Sequence, residues 1–256
     1  MQENFIFRFI DYGLFHFGRY LSLLKQAFSK PEKMSMYVNE TVRQMYDIGV
    51  GSLIIITLIA VFIGAVTALQ FAYQLSGNLI PDYYIGYIVR DISIIELAPT
   101  ISGLVLAGKV GSNMTAEIGG MRQKEHIDAM EIMGINTAAF LILPKLIAAV
   151  TMIPLLVTMA AFVSMIGGYL SSVPTHLLAD VEYIRGLRSF FVPYNIVMML
   201  VKATVFAFIL TSVSCYQGYY VKGGSIELGE ASTRAVVYSD IFILLADLVI
   251  ALVLTT

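Results

Sequence analysis

Between Asp47 and Asp82 the chain carries no charged residue, and Ile48 to Leu69 is its strongest spanning signal. About 20 apolar residues cross a hydrocarbon layer of about 30 Å, so this run predicts a first transmembrane helix. A second is predicted from Glu96 to Met114, where Lys109 is the only charge after Glu96. Thr137 to Leu170 is interrupted only by Lys145 and holds Pro144 and Pro154. One kinked span entered through an interfacial portion fits that pattern better than two full spans. Asn195 to Tyr216, with Lys202, is a fourth span, and Val236 to Leu254, with Asp247, a fifth.

The segments between the spans are of different kinds. From Asn4 to Phe28, apolar Phe5, Phe9, Phe17, Leu21 and Leu24 alternate with Arg8, Asp11, Arg19 and Lys25. That pattern predicts an amphipathic helix lying in the interface plane, with packing onto protein equally open for part of its length. Ser29 to Met45 reads as a connector, so residues 1–46 precede a five-span domain over 47–256. Gln70 to Arg90, with Tyr83, Tyr84 and Tyr87, reads as an interfacial or re-entrant turn bearing an aromatic belt. Ser171 to Tyr194 is polar enough to lie outside, and Tyr219 to Arg234 is a charged loop in which Gly223 and Gly224 form a hinge.

The stretch from Glu96 to Gly134 joins two solvents. Pro99, Gly103, Ala107, Gly111 and Thr115 recur every fourth residue, a small-residue face of the kind that lets helices approach closely in lipid. From Glu117 onward the composition reverses, with Arg122, Lys124, Glu125, His126, Asp128 and Glu131 interleaved with Ile118, Met121, Ile127, Met130 and Met133. This predicts one amphipathic helix over about 117–133, outside the bilayer core.

Composition supports the class. The 256 residues are 58% hydrophobic and 13% charged with a mean hydropathy of +0.79, against about 45–50% apolar and about 25% charged in soluble domains. The chain therefore reads as an all-α integral membrane protein. A net charge of -2 excludes a nucleic-acid footprint. If the amino terminus is cytoplasmic, ten Lys and Arg residues fall inside and only Arg90, Arg185 and Arg188 outside, a positive-inside bias that puts the amphipathic helix in the cytoplasm and the carboxyl terminus outside. The first twenty residues lack the form of a cleavable signal peptide. No GxxxxGK[ST] loop, Ser/His/Asp set or HExxH motif occurs, so no ATPase, catalytic or metal site is expected in this chain. Cys215 reads as a small buried residue.

The run ELAPTISGLVLAGKVGSNMTAEIGGMRQKEHIDAMEIMGI resembles the signature of MlaE-type permeases of bacterial lipid-transport ABC systems. It carries Glu96-Leu97-x-Pro99, Ala107-Gly108-Lys109-Val110-Gly111, Ala116-Glu117-Ile118-Gly119-x-Met121, Glu125-x-Ile127-Asp128-Ala129 and Met133-Gly134. The stretch from Gly223 to Val237 resembles the segment before that family's last helix, and the likeness runs from about residue 40 to the end. Lys109 in place of an arginine, the wording Gln123 to His126 and Ile226-Glu227-Leu228 depart from the pattern, and these bear on the fit to an ATPase and on lipid preference.

The resemblance implies a homodimer in the bacterial inner membrane, bound from the cytoplasm by ABC ATPase subunits that carry the ATP and Mg. It also implies an MCE-domain protein on the outer face and often a small STAS-type regulatory subunit. The cargo would be phospholipid or a related lipid, moved between inner and outer membranes. Glu96 and Leu97 would then face a lipid cavity, lined further by Leu69, Ala72, Tyr73, Leu75 and Leu79. Against this, Glu96 reads equally simply as a carboxylate favoured at a helix amino terminus, and the apolar residues as ordinary packing. Glu117, Met121, Glu125, Ile127, Asp128, Ala129 and Glu131 would form the coupling helix that docks on the ATPase, where the plain reading is a solvated face. Asp247 either faces the cavity or pairs with a base such as Lys202, because an unpaired charge at that depth costs at least a few kcal/mol. Lys109 and Lys145 are expected to snorkel. An intramembrane lipid-modifying enzyme, which should gather several acids or histidines at one depth, and a non-transporting scaffold are the alternative classes.

Overall fold

The computed structural model describes residues 3–29, 34–75, 81–175 and 178–255. Helices α1 (Glu3–Ala27), α2 (Met34–Leu75), α3 (Tyr83–Ile92), α4 (Ser102–Leu106), α5 (Ser112–Gln123), α6 (His126–Ile132), α7 (Thr137–Ser172), α8 (Asp180–Arg188), α9 (Tyr194–Tyr219) and α10 (Ser225–Thr255) follow one another, with no strand among the described residues. Two π-helical stretches, Ser93–Ile101 and Ala107–Gly111, join α3, α4 and α5 into one continuous 41-residue helix. Five helices are long and apolar enough to span: Met36–Leu75, Tyr83–Gln123, Thr137–Ser172, Tyr194–Tyr219 and Ser225–Leu254. In lipid every backbone N–H and C=O must be satisfied within the segment, which makes continuous helix the only open choice.

The spans are longer than the hydropathy pattern suggests. Residues 34–45, expected to be a connector, form the first turns of α2, which also runs past Leu69 to Leu75. The aromatic segment from Tyr83 is helical from its start and continues into the second span. The Tyr219 to Arg234 loop shrinks to a short turn, because α10 begins at Ser225 and Glu227 caps it by accepting from the Gly224 amide at 2.7 Å. Thr137 to Ser172 is one helix with both prolines inside it, opened by Asn136, whose side chain accepts from the Ala139 amide at 3.2 Å. Polar residues alone set the pattern's boundaries, but a helix continues through charges once it leaves the hydrocarbon.

The core has three parts along the bundle. The central one joins Ile56, Ala60, Leu106, Ala149, Ile153, Val157, Ala203 and Phe206. At one end Leu23 and Ala27 of α1 meet Ile118, Ile127, Ala138, Ile142 and Tyr219. At the opposite end Ala68, Ala72, Ile85, Val89 and Tyr183 pack together. There the Tyr183 hydroxyl donates to the Met165 carbonyl at 2.9 Å, and burial pushes its phenol well above the usual range.

Helix α1 packs onto protein over its carboxyl-terminal half. Leu23 and Ala27 are buried, Tyr20 donates to the Ser212 hydroxyl at 2.8 Å, and Arg19 lies 3.6 Å from the Tyr220 ring centroid. Leu14, Phe15, Phe17, Leu21 and Phe28 remain exposed.

The small-residue face of the second span is used inside this chain. Gly103 meets Phe206 and Ile243, Gly111 meets Ser214, and the Thr115 hydroxyl donates to the Ser214 carbonyl at 3.0 Å. It therefore supplies no argument for dimerisation. The closest backbone approach is between α2 and α7, where a Cβ on Gly64 would sit 1.8 Å from the Ser164 carbonyl oxygen and one on Gly167 would sit 2.2 Å from that of Val61. Gly64→Val is expected to separate these helices and lower the thermal midpoint in detergent, at a cost of at least about 1–3 kcal/mol. Gly51→Ala on the same helix, with nothing within 4 Å of the added methyl, should leave the midpoint unchanged or slightly higher.

Candidate functional site

Within the apolar spans, three helices bring charge together. Lys202 lies eight residues into α9, about 12 Å along its axis. Its side chain is fully buried, with Nζ 2.7 Å from Glu96 Oε2 on the π-helical stretch and 2.6 Å from Asp247 Oδ1 on α10. The Thr100 hydroxyl, one turn beyond Glu96, lies 3.1 Å from Asp247 Oδ2 and 3.3 Å from Glu96 Oε1. Lys202 answers the question left open for Asp247: the acid pairs. Glu96 does not sit at a helix amino terminus, since its helix begins thirteen residues earlier at Tyr83, so the dipole reading fails.

The two acids thus meet at one depth, although they arrive from separate helices. They meet on a lysine that pairs with both, and no histidine is among the residues in contact. A π-helical turn inserts one residue into the helical register, which together with Pro99 redirects the faces on either side of Glu96. Lys202 is 0% exposed, Asp247 11% and Glu96 47% by side chain, so Glu96 is the member that opens outward.

The other residues expected around a lipid cavity are not gathered with Glu96. Leu97 lines a crevice with Ile59, Ile63 and Ile101. Leu69 and Tyr73 are exposed on α2, while Ala72 is buried and Leu75 packs beside it in the α3–α8 end of the core. Leu79 lies outside the described residues. Helical spacing along α2 sends these positions to two different faces, so within one chain they form no common lining.

At the other end, the expected amphipathic helix is broken in two. Glu125 adopts a left-handed conformation with φ 57°, ending α5 at Gln123 and starting the seven-residue α6 in a new direction. Glu117 and Met121 consequently belong to the long second-span helix. Glu117 pairs at 2.5 Å with Lys145, which is buried rather than snorkelling, and Met121 is half-buried. Ile127 is fully buried and anchors α6. Asp128 pairs with Arg122 at 2.8 Å, and Glu131 accepts from the Tyr219 hydroxyl at 3.0 Å. Glu125 and Ala129 are exposed, beside Ile132 and Met133, two large apolar side chains at 88% and 68% exposure that were not among the expected docking residues. Gly134, with φ 79°, turns the chain back into α7.

Comparison with known proteins assigns this five-span bundle to a family. The family described as Permease MlaE matches residues 41–253. The chain belongs to the MlaE permease family. It is 34% identical over 88% of its length to a probable ABC transporter permease protein of Rickettsia prowazekii, covering 86% of that protein. It is 30% identical over 83% to the intermembrane phospholipid transport system permease protein MlaE of Haemophilus influenzae, covering 82%. It is also 31% identical over 86% to the chloroplastic protein TRIGALACTOSYLDIACYLGLYCEROL 1 of Arabidopsis thaliana, covering 62%. An ABC-transporter permease of MlaE type is an integral membrane subunit, and the bundle fits that role.

In this MlaE-family permease the sequence signal for the cluster was partial. Lys202 and Asp247 stand out as single charges in apolar runs, and Thr100 sits four residues from Glu96, but nothing in the pattern says that these three spans adjoin. Breaking the cluster by Lys202→Met leaves the buried Asp247 carboxylate facing Glu96 with no countercharge, with an expected loss of about 3–5 kcal/mol in a thermal or denaturant unfolding measurement. Adding Asp247→Asn should recover part of that loss, because one stranded charge is removed; an additive loss would mean the pair is not coupled.

Proposed function

We propose that this MlaE-family permease is the membrane-spanning subunit of an ABC transporter that moves phospholipid or a closely related lipid between two membranes, with ATP and Mg handled by a separate subunit. The observation that carries this reading is the family match over 41–253, joined to a phospholipid-transporting relative of 30% identity. Absence of a P-loop in the sequence assigns hydrolysis elsewhere. On the family match we place the protein in the bacterial inner membrane as a homodimer, and on the ten-to-three charge asymmetry we put the amino terminus and the α6 turn in the cytoplasm and the carboxyl terminus in the periplasm. An MCE-domain protein outside and a small STAS-type regulator inside complete the proposed assembly.

The mechanics follow from how α6 is held. An ATPase gripping Ala129, Ile132 and Met133 would push on a helix whose Ile127 is locked among Leu23, Ile118, Ala138 and Ile142. Displacement of α6 therefore reaches α1, α5 and α7 together. Helix α5 is continuous with the π-helical stretch that carries Glu96, and its far end at Gln123 lies 27 residues, about 40 Å, from that residue. Rotation of this rod would move Glu96 relative to Lys202 on α9. In the proposed dimer, Glu96 borders the lipid path, where its half-exposed carboxylate meets a lipid head group when the rod turns.

Purification of the tagged chain in mild detergent, followed by mass spectrometry of co-purifying protein and lipid, tests the reading. Wild type should bring down an ABC ATPase and phospholipid, whereas Ile132→Glu should lose the ATPase and keep the lipid. Asp128→Arg is a poorer probe, because it also breaks the pair with Arg122. Recovery of the wild-type chain with no ATPase in any mild detergent would overturn the transporter assignment.

A further inference from the structure

At the end of the bundle opposite α6, the chain between α8 and α9 exposes three successive large apolar side chains. Phe190 is 62% exposed and Phe191 and Val192 are each 48% exposed, with Tyr194 next to them at the same level of exposure as the last two. Phe190 has φ 50°, a left-handed conformation that side chains other than glycine rarely adopt. Strain of that kind persists only where the surroundings impose it. Here the surroundings are Arg90, which is buried beneath the turn. Its guanidinium donates to the carbonyls of Leu187 at 2.8 Å, Ser189 at 2.7 Å and Phe190 at 3.2 Å, and to Asp91 Oδ1 at 2.7 Å. The Leu187 carbonyl is one of those left without an intrahelical partner at the end of α8, and those of Ser189 and Phe190 belong to the turn that follows. Tyr84 and Tyr87 lie against the Phe190 ring, with centroids 6.5 and 5.8 Å away. A buried arginine, an ion pair and an aromatic bracket thus hold a polar backbone turn in the shape that turns its apolar side chains outward.

The height of this turn is set by α9. At 26 residues it is the shortest of the five spans, about 39 Å long, against about 40–45 Å for a bilayer including its head groups. A span of that length centred in the bilayer puts its first residue, Tyr194, in the head-group layer, with Phe190 to Val192 just before it across Pro193. Arg188 is exposed at the end of α8, and Arg185 lies 5.0 Å from the Tyr83 ring centroid while approaching Glu182 at 3.9 Å. Basic groups beside aromatic ones at a span's end suit the phosphates and glycerol region of a lipid surface.

We propose that the Phe190–Val192 turn is a membrane anchor, inserted among the lipid head groups and upper acyl chains, and that Arg90 is the latch that keeps it in the inserted shape. The occupant is the bilayer itself, not a protein docked on the outer face. The proposal depends only on which end of α9 the turn occupies and holds for either orientation of the protein.

The sequence contains no tryptophan, so Phe191→Trp installs a single fluorescent reporter on a half-exposed side chain. The full-length variant is reconstituted into vesicles of phosphatidylcholine and phosphatidylglycerol, with or without phosphatidylcholine brominated in the upper acyl chain. Insertion predicts a blue-shifted emission, loss of most of it with the brominated lipid, and weak quenching by aqueous acrylamide. Strong acrylamide quenching with no bromine effect would mean a turn in water and would overturn the proposal. Emission protected from both quenchers would mean a protein contact and would also overturn it. In the same background, Arg90→Lys retains the charge but not the three-carbonyl fork, so it should reduce bromine quenching and raise acrylamide quenching. An unchanged ratio in a variant that still folds would remove Arg90 from the latch role.

Discussion

The charge of Lys202 has to be neutralised in a place without water, and three of the five spans are arranged around that requirement. A buried ammonium that lost either partner would sit in a low-dielectric site with its solvation unreplaced. Glu96 and Asp247, arriving from the second and fifth spans, supply two carboxylates at 2.7 and 2.6 Å. The contact is directional where the packing around it is greasy, so it selects one register among α9, α10 and the π-helical stretch out of many that would bury similar apolar area. It also leaves a carboxylate half open at a point where the helix is irregular.

The remaining contacts follow from the absence of a hydrophobic force between helices in lipid. Packing then has to come from close approach, and α2 and α7 achieve it at Gly64 and Gly167, where any side chain would meet the opposing backbone. At each end of the bundle the problem changes, because backbone leaves the hydrocarbon. Arg90 serves the exposed carbonyls at one end, and Arg122, Tyr219 and Asn136 tie the turns at the other. Both ends therefore present stiff, partly apolar turns on a rigid bundle.

Membership of the MlaE permease family places these features in a working frame. The apolar tip of α6, with Ile132 and Met133 exposed, follows the end of the long second-span helix at Gln123, and the half-open Glu96 lies 27 residues back along that helix. A separate subunit that hydrolyses ATP could act on one and a lipid on the other, with no catalytic group needed between them.

The sequence by itself determined the class, the number of spans and the family. Runs of about 20 apolar residues in lipid leave the backbone no alternative to helix, and the motif from Glu96 to Gly134 is long enough to be distinctive. It also marked Glu96, Lys202 and Asp247 as costly charges in an apolar setting, and named pairing with Lys202 as one outcome for Asp247. Only the tertiary structure decided that Glu96 joins the same lysine, that the small-residue face is spent within one chain, and that the lipid-lining candidates on α2 diverge. Each of these depends on which helix faces which, and hydropathy is nearly blind to that choice because every face of a span is apolar. The break at Glu125 and the strained turn at Phe190 were invisible for a related reason. Neither residue type favours a left-handed backbone enough to announce it, and in both cases the conformation is imposed by what packs beneath: Ile127 in one end of the core, Arg90 in the other.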